Sequence, residues 1–259
     1  MRRPADPPAP SVDLNADLGE TVDGVPTADD AAMFGLVSSA SVATGGHAGD
    51  AASMAVAVEL AERHSVAIGA HPSYPDRAGF GRTRMALPPD ELTATVSSQL
   101  RALLEAGADI RYVKPHGALY HAAGSDPATA RALVRAVAEL SASLGRAVPV
   151  LALGAALVEA SASAGLPFVR EAFLDRGYTP DGDLVPRGMP GALLDDPAVV
   201  AARAVRLARE GVVEAVDGTL VVAGAASLCL HGDTAESVAM ARAVRAALGA
   251  AGIAVKAPW

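Results

Sequence analysis

Residues 111–120 read RYVKPHGALY. Together with Ile110, Tyr112 and Val113 form an apolar run that reaches Lys114 and is stopped at once by Pro115, His116 and Gly117. Proline has no N–H for a ladder and glycine punctuates a turn, so a cation and an imidazole sit where a buried strand emerges. The same layout recurs at ATGGHAGD (43–50), IGAHPSY (68–74) and LCLHGDT (228–234), so four of the six histidines, His47, His71, His116 and His231, follow candidate strands.

Outward from this segment, short apolar runs alternate with amphipathic stretches. Strands are expected at 11–14 (continuing into NADLGE), 41–44, 66–70, 110–114, 148–153, 167–173 and 227–230, with a short extra strand at 219–222. Helices are expected at 28–39, 51–64 with Asp50 as N-cap, from 88 through Leu104, after the Asp126-Pro127 start, and at 155–164, 196–210 and 235–248. Residues 253–256 read equally as a closing strand or a tail. Residues 71–82 form a Pro/Gly-punctuated loop. LDRGYTPDGDLVPRGMPGALLDD (174–196) is the longest irregular segment, and loops of that length in a compact domain tend to bind or cover ligands.

Seven βα units with apolar strands imply a parallel sheet covered by helices, an α/β fold. An open doubly wound sheet would gather polar strand ends at one switch point, whereas a barrel brings every C-terminal strand end around one mouth. Ionisable groups at most strand ends favour the barrel. A single domain over 11–259 follows, with residues 1–10, proline-rich, as a flexible tail.

Composition excludes several classes. Half of the residues are hydrophobic (51%) but only 3% are aromatic, so Ala, Val and Leu fill the core. The formal charge of −8 and the lack of a basic stripe argue against a nucleic-acid or anionic-membrane partner. One cysteine, Cys229, excludes an internal disulfide framework and any Cys-rich zinc motif. It alternates with Leu228 and Leu230 and reads as a small core residue. MRRPADPPAP has no apolar run behind its arginines, and no apolar segment is long enough to span a bilayer, so a cytoplasmic location is expected.

The mouth of such a barrel collects a mixed set of acids, bases and cations. Period-two geometry puts Asp13, Asn15 and Asp17 on one side of the first strand and Leu14 and Leu18 on the other. His47 and Asp50 follow the second strand, His71 the third, Lys114 and His116 the fourth, and His231 and Asp233 the seventh. A lysine at a buried strand end could polarise a carbonyl or hold a carboxylate, or simply snorkel to solvent. Glu171, flanked by apolar residues in VREAF, must be paired or functional, with Lys114 rather than Arg170 as partner, because adjacent strand residues face opposite ways. Arg82, Arg176 and Arg187 lie on the two long loops and could clamp an anion. Asp13, His47 and His71 could hold a divalent metal. No G-x-x-x-x-G-K-[ST] loop or strand-coupled G-x-G-x-x-G occurs.

The stretches DLNADLGE, SSASVATGGHAGD, IGAHPSYPDRAGFGR, VKPHGALY, REAFLDRGYTPDGDLVPRGMPGAL and LCLHGDT run in order over nearly the whole chain, and in them the sequence resembles the LamB/YcsF family. The resemblance implies a distorted TIM-like (β/α)7 barrel of the glycoside hydrolase/deacetylase type. It also implies the A component of an ATP-dependent 5-oxoprolinase, which opens 5-oxo-L-proline to L-glutamate together with B and C subunits. The ATP would be bound by those partners. On this resemblance Asp17, Lys114, His116 and Glu171 are the expected catalytic group. Asp13, Asn15, His71, Arg82, Asp175, Arg176, Arg187, His231 and Asp233 are the expected substrate-binding set. The family usually has Cys at the positions of Thr44 and Ala16 and an aromatic at Gly46, which here implies no thiol mechanism and a wider pocket near His47. Two other readings remain open: a stand-alone metal-dependent deacetylase or amide hydrolase, and a non-catalytic substrate-binding component.

Overall fold

The computed structural model describes residues 10–232 and 236–259. The expected tail at 1–10 lies almost wholly outside these, as does Asp233. Seven parallel strands close into a barrel: β1 (Ser11–Leu18), β2 (Ser39–Ala43), β3 (Ala67–His71), β4 (Ile110–Val113), β5 (Val150–Ala152), β6 (Phe168–Phe173) and β7 (Ser227–Cys229). Each strand pairs with its sequence neighbour, and β7 returns to β1 with Asp13 opposite Ser227 and Asn15 opposite Cys229. The strands are short and apolar because helices cover the outside and side chains fill the inside.

The covering helices are α1 (Asp30–Phe34), α2 (Ala51–His64), α3 (Pro89–Glu105), α4 (Gly117–Ser125), α5 (Pro127–Leu144), α6 (Ala155–Ser163), α7 (Pro197–Glu210) and α8 (Ser237–Ala250). Their starts follow local chemistry. Asp50 and Ser53 form a reciprocal capping box on α2, Asp126 accepts from Thr129 N ahead of Pro127, and Asp196 accepts from Ala198 N ahead of Pro197. Asp50, expected in the mouth, is exposed and serves as this cap.

The structure corrects several element expectations. The helix expected over 28–39 is only the five residues of α1, because Gly35 ends it and Ser38 turns inward to bond Leu14 N and Asp13. α4 is an addition to the expected elements: Gly117, at φ +55°, turns the chain straight from the strand end into a helix whose apolar residues ALY and AA are buried or half-buried. The extra strand Leu220–Val222 pairs antiparallel with Val212–Glu214 in a hairpin outside the barrel. At the chain's end Ala254–Val255 is a true strand, pairing with Ser11 and Val12 below the point where β7 begins.

That last strand delivers Trp259 to the floor of the barrel. Its ring stacks on Tyr112 at 4.5 Å and its Nε1 donates to Ser39 Oγ at 2.8 Å. Tyr112 is fully buried, shares a hydrogen bond with Ser41 and lies against Gly69 of β3, where the β3–β4 register shifts. A methyl at Gly69 would lie 2.2 Å from two carbons of the Tyr112 ring, far inside van der Waals contact. Gly69→Ala is therefore expected to cost about 1–3 kcal/mol by overpacking, measured by urea denaturation. Pairing it with Tyr112→Leu should recover part of that loss, and full additivity of the two costs would contradict this packing.

Candidate active site

Inside the barrel, polar groups form layers. In the lowest, Asp13 accepts from Ser38 Oγ at 2.6 Å, Ser39 Oγ at 2.7 Å and Ser227 Oγ at 2.5 Å. Burial raises its pKa despite these bonds. Both oxygens accept from serines, and Asp13 is neither in the cluster that brings His47 and His71 together, its expected place as a metal ligand, nor among the residues lining the mouth cavity. Asn15 sits one step higher, donating to Ser227 Oγ at 2.7 Å and accepting from Lys114 Nζ at 3.0 Å.

Lys114 occupies the middle layer, 1% exposed. Its ammonium meets Asn15 Oδ1, Asp17 Oδ1 at 2.9 Å, Glu171 Oε2 at 3.2 Å and Cys229 Sγ at 3.1 Å, and lies 5.3 Å from the Phe173 ring centre. Burial opposes the charge, but Asp17, Cys229 and Glu171 together push the pKa well above the ordinary lysine range. The side chain thus does not snorkel to solvent. The ammonium's three protons face the barrel's own acceptors, and the residue also forms part of the wall of the mouth cavity. Cys229, expected as a plain core residue, faces the lumen as one of these acceptors, and burial raises its thiol pKa well above the ordinary value.

The two carboxylates around Lys114 differ. Burial works against Asp17, yet His71 and Lys114 outweigh it and hold its pKa well below the usual range. Glu171 is fully buried, and burial keeps its pKa raised even though Lys114 acts to lower it. Its Oε1 makes no hydrogen bond within normal distance, and the nearby Tyr120 hydroxyl is likewise buried without one. Glu171 stands behind Lys114 and is not among the residues that line the mouth cavity.

That cavity, of about 450 Å³, lies above the middle layer and is lined by Asp17, Glu20, His71, Lys114, His116, Tyr120, Phe173 and His231, with Arg82 and Arg187 among its exposed residues. His71 Nε2 lies 3.4 Å from Asp17 Oδ2 and 3.0 Å from His116 Nδ1. His47 is stacked on His116 at 3.7 Å and its Nε2 is 3.1 Å from Glu20 Oε1. Burial, His71 and the neighbouring imidazoles lower the pKa values of His47 and His116 well below the ordinary range. Glu20, His47, His71 and His116 are the residues that could hold a metal ion, each offering one ligand atom within 4.8 Å of the others. Glu20 is absent from the sequence-derived candidates, although it closes the NADLGE stretch and its neighbour Gly19, at φ +71°, marks the turn that swings it over the mouth.

On the opposite wall Asp175 accepts from His231 N at 3.1 Å and from His231 Nδ1 at 2.9 Å, while the His231 ring stacks on Phe173. Asp175 thus positions His231 and does not itself line the cavity. Arg176 does line it, but its guanidinium donates to Ala192 O at 3.1 Å and Val185 O at 2.7 Å. It pins the 174–196 loop, and the bridges Arg176–Leu193 and Tyr178–Leu184 give that loop a fixed shape. Near His47, the wider pocket expected from Gly46 is absent: a Cβ there would strike Ser73 Oγ and Gln99 Oε1. Gln99 fills the space, accepting from Thr44 Oγ1 at 2.9 Å and Ser73 N at 3.1 Å.

The site is an acid, imidazole and cation assembly at the C-terminal mouth of a parallel barrel, where such folds carry their chemistry. The chain belongs to the LamB/YcsF family, whose model matches residues 12–258. It is 50% identical to the 5-oxoprolinase A subunit of Streptomyces avermitilis, covering 95% of this chain and 99% of that one. It is 48% identical to the 5-oxoprolinase A subunit of Paracidovorax citrulli, covering 95% and 98%. Among solved structures, the lactam utilization protein from Thermus thermophilus matches with a TM-score of 0.88 and 44% identity over 95% of this chain and 99% of that one. No helix among the described residues is long and apolar enough to cross a membrane.

The charge layout has measurable consequences. Lys114→Met removes the counter-charge from buried acids and should cost about 3–5 kcal/mol in chemical denaturation, whereas Lys114→Met with Asp17→Asn should cost clearly less than the two single losses summed. Separately, Asp175 raises the His231 pKa above its ordinary 6.5, overcoming burial. The folded value exceeds the unfolded one, so this pair's stabilisation is full below about pH 6.5 and is lost as pH rises through the folded value. A pH series of thermal unfolding should show that slope in the parent protein and its loss in His231→Gln.

Proposed function

We propose that this chain is the A component of an ATP-dependent 5-oxoprolinase, opening the lactam of 5-oxo-L-proline to L-glutamate as ATP is hydrolysed to ADP and phosphate. The similarity over almost its full length to relatives named as the A subunit of 5-oxoprolinase carries this reading. The word "subunit" in those names supports partners, which we take to be the B and C subunits. The absence of a phosphate-loop motif supports placing the ATP step on them. A cytoplasmic location fits the lone cysteine.

A five-membered lactam is resonance-stabilised and resists water, so a phosphoryl group placed on its carbonyl oxygen by the partners would make the carbon a far better electrophile. The cavity of about 450 Å³ leaves room for a lactam enlarged in that way. Arg82 and Arg187 supply positive charge for its carboxylate or phosphate. Asp17, kept ionised by His71 and Lys114, faces the same cavity and is the group we assign to orient or deprotonate the attacking water. His231, on the wall opposite the imidazole cluster, is the group we assign to proton transfer to the ring nitrogen. Lys114 holds Asp17 ionised from beside it, and Glu171 supports the ammonium from behind.

The test is reconstitution with the B and C subunits and measurement of 5-oxo-L-proline-dependent ADP release. Arg187→Ala should raise KM about tenfold or more with a smaller change in kcat, since it removes substrate binding from the rim. Asp17→Asn should lower kcat about 100-fold or more with folding verified by circular dichroism. Full activity of the partners without this chain, or ring opening by this chain without ATP, would overturn the proposal.

A further inference from the structure

The cluster of Glu20, His47, His71 and His116 contains a close contact between two imidazole nitrogens. His71 Nδ1 lies 2.7 Å from the carbonyl oxygen of Lys114, and His116 Nε2 lies 3.0 Å from that of Phe80. A carbonyl oxygen only accepts, so each of these nitrogens carries its ring's proton. With both rings neutral, that leaves His71 Nε2, which also lies 3.4 Å from Asp17 Oδ2, and His116 Nδ1 as the lone-pair nitrogens, and they face each other at 3.0 Å. Two acceptors at hydrogen-bond distance repel unless something positive lies beside both.

We propose that this positive group is one divalent transition-metal ion of the zinc type, held by His47, His71, His116 and Glu20. The spacing suits it. Metal–nitrogen bonds of about 2.0–2.1 Å in a tetrahedron put neighbouring donors about 3.3 Å apart. The contacts here bracket that value: 3.0 Å for His71 Nε2 to His116 Nδ1, 3.1 Å for His47 Nε2 to Glu20 Oε1, and 3.7 Å for His116 Nδ1 to Glu20 Oε1. Three imidazoles and one carboxylate are a ligand set of the right softness, and they bring one negative charge to a dication. The backbone carbonyls of Lys114 and Phe80 are the outer partners that fix ring tautomer and orientation in metal sites.

The fold builds this pocket rather than leaving it to chance. All four residues are buried, with His47 and His71 each 1% exposed. Gly81, at φ +66°, lets the 72–82 loop press onto the cluster; a Cβ there would meet His116 Cδ2 and His47 Cβ, both at 2.8 Å. Glu20, His71 and His116 line the cavity while His47 stands behind, so a further ligand would reach the ion from the cavity side by expanding its coordination to five. Such an ion supplies Lewis acidity toward a carbonyl oxygen or a water. Asp13, at the barrel floor, takes no part.

The site stands or falls apart from the proposed lactam activity, because its test reads the metal itself. The purified chain, stripped with chelator and dialysed, is titrated with Zn2+ and with Co2+, following metal content by mass spectrometry and the visible Co2+ bands. The expected result is one ion per chain, a higher Tm on loading, and a low-coordinate Co2+ spectrum. His71→Gln and His116→Gln should each weaken binding about 100-fold or more, while His64→Ala, at the exposed end of α2, should bind as the parent does. If a histidine variant fails to fold, Glu20→Gln gives the same reading through a shifted Co2+ spectrum. Parent protein that retains no ion at tens of micromolar metal, or His71→Gln and Glu20→Gln proteins that bind with the parent's affinity and spectrum, would overturn the proposal and leave a shared proton as the group between the two rings.

Discussion

The barrel is organised around an ammonium group that has no contact with bulk water. Lys114 is 1% exposed, and it exists as a cation only because Asp17, Glu171, Asn15 and Cys229 converge on it from three other strands. An isolated charge at that depth would be expelled or neutralised. The constraint therefore runs both ways: the lysine needs β1, β6 and β7 in register around it, and those strands carry acids that would not tolerate burial without it. Asp13 opposite Ser227 and Asn15 opposite Cys229 are the register that satisfies both.

This arrangement separates support from chemistry along the barrel axis. The floor is sealed by Trp259 on Tyr112 and by the serine hydroxyls that saturate Asp13. The middle layer sets charge, leaving Asp17 ionised while burial keeps the Glu171 pKa raised. The cavity rests on Asp17 and Lys114 of the middle layer and is walled by the upper one, where imidazoles, a carboxylate and rim arginines are brought within reach of a ligand.

Much of the frame is legible in the chain because its causes are local. Helix starts at Asp50, Asp126 and Asp196 follow from caps and prolines within a few residues. Misreadings arise where local cues are weak or ambiguous. α4 hides behind Pro115 and Gly117, which signal a stop, and α1 ends early at a glycine that an apolar count passes over. Arg176 reads as an anion clamp because any loop arginine does, and only the folded loop shows its donors turned onto Val185 and Ala192.

From residue order alone it follows that strand ends carry His47, His71, His116, His231 and Lys114, and that Asp13, Asn15 and Asp17 share one side of β1, since a period of two is a property of the backbone. How deep each one lies, and what stands next to it, is visible only in the closed barrel. Depth and neighbours depend on strand stagger, on the register shift at Gly69, and on where loops such as 72–82 fold back over the mouth. Those are set by packing between residues far apart in the chain. That is why Glu20 joins the histidines, why Asp13 does not, and why Lys114 is ringed by acceptors from its own barrel.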